Sequence, residues 1–276
     1  MLSNKTSQIR QLYSLWPNNL KLLLAITLSV IVDAAIANDN FGYEIAQEAD
    51  LRESDFLDFK VNLRMTLKDQ RDRQAIRELD IRQLEIADVG DRSILVIREP
   101  RAIRGTALLS HAQKNREDDQ WIFLPAVNRV KKIASRNKSG PFLGSDFAYE
   151  DLVSQELEKF VYSLLREELF NGASFWVVER VPVDPFSGYS RQIAWYDKEE
   201  YRIERVEYYD KHEALLKTLT LTDFRKYHNK FWKAHTMHME NVQTGKSTTL
   251  VWSNFQFANG FTAERDFSVS AIRRMR

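Results

Sequence analysis

From Phe59 to Leu67 the chain alternates without a break. Phe59, Val61, Leu63, Met65 and Leu67 are apolar, and Lys60, Asn62, Arg64, Thr66 and Lys68 interleave them. A period of two marks a half-buried strand with one wet face. Upstream the period differs: in residues 41–57, Ile45, Ala49 and Phe56 lie roughly on one side among acidic neighbours, which predicts a short amphipathic helix. Downstream, strand-like runs follow at short spacing. Residues 75–86 slip in phase between Leu79/Ile81 and Leu84/Ile86, predicting a bulge. Residues 93–98 and 105–110 come next, and Trp121–Leu124 and Arg129–Ile133 suit a hairpin around Pro125-Ala126. Further strands are expected over 158–169, 173–182, 190–196, 201–209, 214–224, 230–239 and 247–257. Asn171-Gly172, the run Asp184 to Gly188, and Thr244-Gly245 divide them. Phe160, Leu164 and Leu165 would also suit a helix over 158–169. Many strands without long intervening helices imply a mainly β fold, an antiparallel sheet that curls into a sandwich or barrel. Neither a repeat nor a linker interrupts it, so residues 38–276 read as one domain.

The first residues follow a different logic. Lys5, Arg10 and Lys21 form a basic leader, Leu22 to Val32 is uncharged and apolar, and Ala35-Ile36-Ala37 presents small residues where a signal peptidase looks. The order predicts a cleavable export signal over residues 1–37 and a mature chain outside the cytoplasm. An uncleaved anchor is the alternative, although the apolar run is short of the roughly 20 residues a bilayer needs. Removing the leader takes away Lys5, Arg10, Lys21 and Asp33, turning a net charge of +1 into about −1. A near-neutral chain has no general attraction to nucleic acid. There are no cysteines, which excludes disulfides, thiol nucleophiles, Cys-ligated metals and a lipidated N-terminal Cys.

Residues 136–152 break the strand pattern. Gly140, Pro141 and Gly144 prevent regular pairing, yet Phe142, Leu143, Phe147 and Tyr149 are large and apolar. Such a loop is either a lid over an apolar cavity or a plug that fills one end of the barrel with its own aromatics. Just before it, Arg129, Lys131, Lys132, Arg136 and Lys138 form a basic cluster. They suit contact with anionic head groups or an acidic partner. The reading to prefer over that one is solvated charges that keep an exposed strand from pairing edge to edge.

Catalytic and metal chemistry finds little support. His235, Met237 and Met239 share one face of a strand while His238 points away, which breaks an apparent copper-like cluster. Ser110-His111 with Asp118 or Asp119 supplies triad residue types, but neighbouring strand residues face opposite ways. No cofactor is expected.

The run Asp119-Gln120-Trp121-Ile122-Phe123-Leu124-Pro125-Ala126-Val127-Asn128-Arg129-Val130-Lys131-Lys132-Ile133, continuing through Lys138-Ser139-Gly140 and Gly144 to Leu152, resembles the bacterial outer-membrane lipoprotein-sorting proteins of the LolA/LolB-like superfamily. The resemblance spans most of the chain from about residue 43. It implies an incomplete antiparallel β-barrel around an apolar cavity, covered by a few short helices or loops. It further implies a non-catalytic periplasmic carrier that shields acyl chains of a lipoprotein or lipid in transit. An RND-type (MMPL-like) exporter would be the natural donor or acceptor. The rival reading is an accessory protein that docks to such an exporter without cargo, and an enzyme on the same barrel stands third.

Overall fold

The computed structural model describes residues 40–170 and 172–274, so the expected export signal over 1–37 lies outside the described residues. Helix α1 covers residues 40–53. Thirteen strands follow: β1 (Asp58–Lys68), β2 (Gln74–Leu84), β3 (Arg92–Glu99), β4 (Ala107–His111), β5 (Asp119–Leu124), β6 (Arg129–Lys132), β7 (Phe160–Phe170), β8 (Ala173–Pro182), β9 (Tyr189–Asp197), β10 (Ile203–Asp210), β11 (Leu215–Tyr227), β12 (Phe231–Asn241) and β13 (Lys246–Phe257). A short helix α2 (Ala263–Asp266) lies near the C-terminus. All thirteen strands belong to one sheet, in the order β6-β5-β4-β3-β2-β1-β13-β12-β11-β10-β9-β8-β7. Each neighbouring pair is antiparallel. The sheet is curled but not closed, because β6 and β7 are free edges that do not pair with each other.

The expected strand over 158–169 is β7, not a helix. The hairpin at Pro125 forms as read, with Pro125–Val127 as a single 3₁₀ turn and Asn128 in the left-handed conformation. Two expectations need correction. The helix stops at residue 53, and Phe56 is buried beyond its end, past Asp55 at a positive φ. The phase slip after Ile81 is not a bulge there. The strand ends at Leu84, which packs on the outer face, and Ile86 lies beyond it. The register break in β2 falls instead between Glu78 and Leu79, against β3.

The inner face carries the main core. Val61, Leu63 and Met65 of β1 join Leu79 and Ile81 of β2, Leu95 and Ile97 of β3, and Met239 and Leu250 from the far half. Ile45, Ala46 and Ala49 of α1 pack onto the same cluster. Gly42 lets the start of α1 approach β7 closely: a Cβ there would sit 2.6 Å from the backbone nitrogen of Leu164. Part of the outer face is also dry. Ile94, Val96, Ala107, Leu109 and Phe123 are covered by Phe267 and Ile272 of the C-terminal segment. Buried on both faces, β3 and β4 read as unbroken apolar runs rather than alternating ones.

Candidate functional site

The chain must travel from one free edge, β6, to the other, β7, and residues 133–159 make that crossing. The crossing lies over the inner face, because it bonds to strands from both halves of the sheet. Gln120 of β5 donates from Nε2 to the Tyr149 carbonyl at 2.9 Å. Thr248 of β13 donates from Oγ1 to Asp146 at 2.7 Å, and the Asp146 N–H returns to Thr248 Oγ1 at 3.0 Å. Lys217 of β11 donates from Nζ to the Asp146 carbonyl at 2.8 Å and to Asp151 Oδ2 at 2.6 Å. Tyr189 of β9 gives its hydroxyl proton to Asp151 Oδ1 at 2.8 Å.

These bonds form a buried clasp. The Lys217 and Asp151 side chains retain only 4% and 5% exposure. The ammonium also lies 5.1 Å from the ring centres of both Tyr189 and Tyr208, so two π faces and a carboxylate surround it. Burial first, and then the neighbouring Asp151, push the Glu150 carboxyl upward. Glu150 accepts from the Gly188 N–H at 2.9 Å and the Ser187 hydroxyl at 2.7 Å, tying the segment to the β8–β9 turn as well.

Among the residues singled out in the loop, Phe142 and Phe147 are buried in the main core, and Leu143 and Tyr149 pack against it half-buried. Phe142 meets Tyr149 edge-on at 5.7 Å. Pro141 bridges to Ala148, closing residues 141–148 into a small loop. Leu143 at φ 49 and Gly144 at φ 80 turn its tip, where a Cβ on Gly144 would meet nothing within 4 Å. Gly140 sits at its base, its carbonyl accepting from the Tyr149 N–H. The tip is thus open while the two phenyl rings are sunk.

The basic cluster does not stay together. Arg129, Lys131 and Lys132 stand on the edge strand β6, exposed, and Arg136 is exposed beyond it. Lys132 pairs with Asp119 at 2.6 Å and lies over the Trp121 ring. Lys138 departs from the group: it is 5% exposed, and its Nζ has no hydrogen-bond partner. The crossing segment turns it inward, away from the edge.

The rejected chemistry separates in space. Ser110 is buried and accepts from Gln120 Nε2, whereas His111 reaches the Phe267 carbonyl at 2.7 Å on the opposite face. His235 stacks on Tyr227 and meets the Phe255 ring at a tilt, while His238 bonds Thr249 on the other side of β12. Among the described residues no cluster of His, Asp and Glu is arranged to hold a metal ion.

Part of the inner face is incompletely covered. Leu221 of β11, Met237 of β12, and Trp252 and Phe255 of β13 pack on the core but are only half-buried. Leu221 pairs with Met237, and Met237 with Leu250, so the strip runs across adjacent strands on one face. Sequence reasoning passed over this strip and over Lys217. The signal for Lys217 was its phase: it shares the inward positions with Leu219 and Leu221, where a strand lysine has no place unless a carboxylate waits for it.

A family model described as uncharacterized-protein-like matches residues 90–274. The comparison with curated proteins finds no match. Among solved structures, a domain described as an outer membrane lipoprotein-sorting protein domain, from Vibrio parahaemolyticus, is 45% identical, with a TM-score of 0.84 over 86% of this chain and 100% of its own. A DUF1329 family protein from Desulfovibrio piger is 26% identical, with a TM-score of 0.80 over 85% of this chain and 99% of its own. A LolA superfamily protein from Nitrosomonas europaea, 21% identical, shares the fold at a TM-score of 0.68 over 83% of this chain and 98% of its own. The chain belongs to the family of the Vibrio outer membrane lipoprotein-sorting protein domain, and it shares the fold of the LolA superfamily protein.

Proposed function

We propose that this protein is a periplasmic carrier that shields the acyl chains of a lipoprotein or lipid during transfer across the cell envelope. The observation that carries the reading is the half-buried strip of Leu221, Met237, Trp252 and Phe255 on the inner face of the sheet. An inner face that leaves contiguous apolar side chains partly wet has surface to offer a hydrocarbon chain. Each methylene transferred from water to such a surface contributes about 0.8 kcal/mol, so a long acyl chain gains several kcal/mol without any chemical step. The sorting role named for the Vibrio domain supports the same class of cargo. Residues 1–37 would act as the cleaved export signal, and residues 38–276 as one carrier domain.

The open tip at Leu143–Gly144 makes the crossing segment the part that moves when cargo enters, while Phe142 and Phe147 fill the inner face when it is empty. Lid and plug are then two states of one segment. Neither the geometry nor the relatives speak for an RND-type exporter as partner.

Native mass spectrometry of the protein purified from the periplasm tests the proposal. Co-purified lipid or acylated protein is expected, displaced by long-chain amphiphiles. Protein that emerges bare and binds no acyl probe after delipidation would overturn carriage and leave cargo-free docking as the better reading.

A further inference from the structure

The inner-face strip has a polar end. Residues directly opposite one another in neighbouring strands share a face. Arg77 of β2 lies opposite Met65, Met65 opposite Leu250, Leu250 opposite Met237, and Met237 opposite Leu221. Arg77 therefore stands at the head of the row that ends in the half-buried residues. Its Nη1 is buried and has no hydrogen-bond partner among the described residues. Among the described residues no carboxylate forms an ion pair with it, although 21 other such pairs are formed there. Burial alone lowers its pKa, with no neighbouring charge to offset the loss of water.

A second unmet donor stands on the same face, across β1 and one row along. Trp252 lies opposite Leu63, which lies opposite Leu79, in the adjacent row of the same face. Its Nε1 is also buried and unpartnered. Unmet buried donors are uncommon and costly, and a buried nitrogen of a charged guanidinium more so than a neutral N–H, even where the residue as a whole is half-buried, as Arg77 is. The two donors stand opposite Met65 and Leu63, which are fully buried, and Trp252 is itself one of the half-buried residues of the strip that continues to Met237 and Leu221. A guanidinium is well suited to anionic oxygens, which it engages through two parallel N–H donors.

Building on the carrier reading, we infer that Arg77, assisted by the Trp252 indole N–H, binds the anionic oxygens of a cargo head group, phosphate or carboxylate, while the hydrocarbon tail lies along Met237 and Leu221. The site takes an amphiphile in one orientation, with its charged end at β2 and its chain across β13 to β11. Head recognition then adds to chain burial, and the cargo is selected by charge as well as by length.

Delipidated protein would be titrated with hexadecanol, palmitate and hexadecyl phosphate, each displacing a fluorescent acyl probe, and with inorganic phosphate alone. Palmitate and hexadecyl phosphate are expected to bind about 10- to 100-fold more tightly than hexadecanol, the range for a hydrogen bond to a charged group. Arg77→Gln should abolish that preference and bring the three chains to about the same affinity, with an unchanged circular dichroism spectrum and thermal midpoint showing that the variant is folded. Equal affinity for all three heads, or a preference that survives Arg77→Gln, overturns the head-group site and leaves carriage standing. Inorganic phosphate competing as well as hexadecyl phosphate assigns Arg77 to a free anion and overturns the amphiphile. Failure of every chain to bind, in a folded protein, overturns the carrier reading itself.

Discussion

Asp151 and Lys217 are 66 residues apart in sequence and 2.6 Å apart in space, and almost no water reaches either. One belongs to the irregular crossing segment and the other to β11, so this contact fixes where the crossing lies on the sheet. The surrounding donors and acceptors are complete enough to make the pair viable: Tyr189 and the Ala148 N–H on the carboxylate, and the Asp146 carbonyl on the ammonium.

Removing one partner leaves the other charge buried and alone. Lys217→Met is expected to lower unfolding free energy by about 3–5 kcal/mol in urea titrations, with Asp151→Asn similar in sign. The double variant Asp151→Leu/Lys217→Met should recover much of the loss, because no uncompensated charge remains. A single variant costing under about 1 kcal/mol would show that the clasp does not hold the segment.

Asp58 ties down the C-terminal segment. Its carboxylate accepts from Asn259 Nδ2 at 2.9 Å and from the backbone N–H groups of Asn259, Gly260 and Phe261. Burial pushes the carboxyl upward, but these four donors prevail and hold it below the usual carboxylate range. The stabilisation is present above the unfolded pKa and is lost as pH falls through the folded one. Asp58→Ala should free residues 258–274 and wet Ile94, Val96 and Phe123. Hydrogen exchange would then rise in that segment before it rises in β1. Unchanged protection there would contradict the role.

Glu156 has the opposite sign. Burial, ahead of the nearby carboxylates Asp91 and Asp50, raises its pKa to about 7, while the Asp91 N–H and Lys114 oppose the rise. The folded protein holds this proton more tightly than the unfolded chain. Its contribution is full below about pH 4.5 and disappears as pH rises through about 7. Glu156→Gln should therefore match the wild type in acid and exceed it above neutrality. The two stability profiles would converge at low pH, and parallel profiles would contradict the shift.

Gly42 sets the approach of α1 to β7. In Gly42→Val the Cβ would meet the Leu164 nitrogen at 2.6 Å and the Ser163 carbonyl carbon at 2.7 Å, both backbone atoms that cannot swing away. The helix must lift, loosening Ile45 and Ala49 from the core, at a cost of about 1–3 kcal/mol. Thermal unfolding measures this, and a variant as stable as the wild type would show that α1 re-docks without strain.

The strands were legible because their signal is local. The alternation from Phe59 to Leu67 assigns β1 and its inward face together, and turn residues such as Asn171-Gly172 mark where β7 gives way to β8. The irregularity of 136–152, with its four apolar side chains, was equally visible, since Gly140, Pro141 and Gly144 forbid pairing wherever they sit. Leu84 misled because a second buried face also selects apolar residues, and periodicity within one strand does not say which cover it meets.

Residue order alone therefore determined the antiparallel architecture, the inward phase of β1 and the irregular segment over 136–152. Tertiary structure decided which way that segment crosses, that Lys138 turns inward while Arg129 and Lys131 stay out, that Lys217 finds Asp151, and that Arg77 finds no one. The reason is physical. Alternation is written by each residue's own preference for water or core, whereas a charge's partner, or its lack of one, depends on groups that only the closed path of the chain brings near.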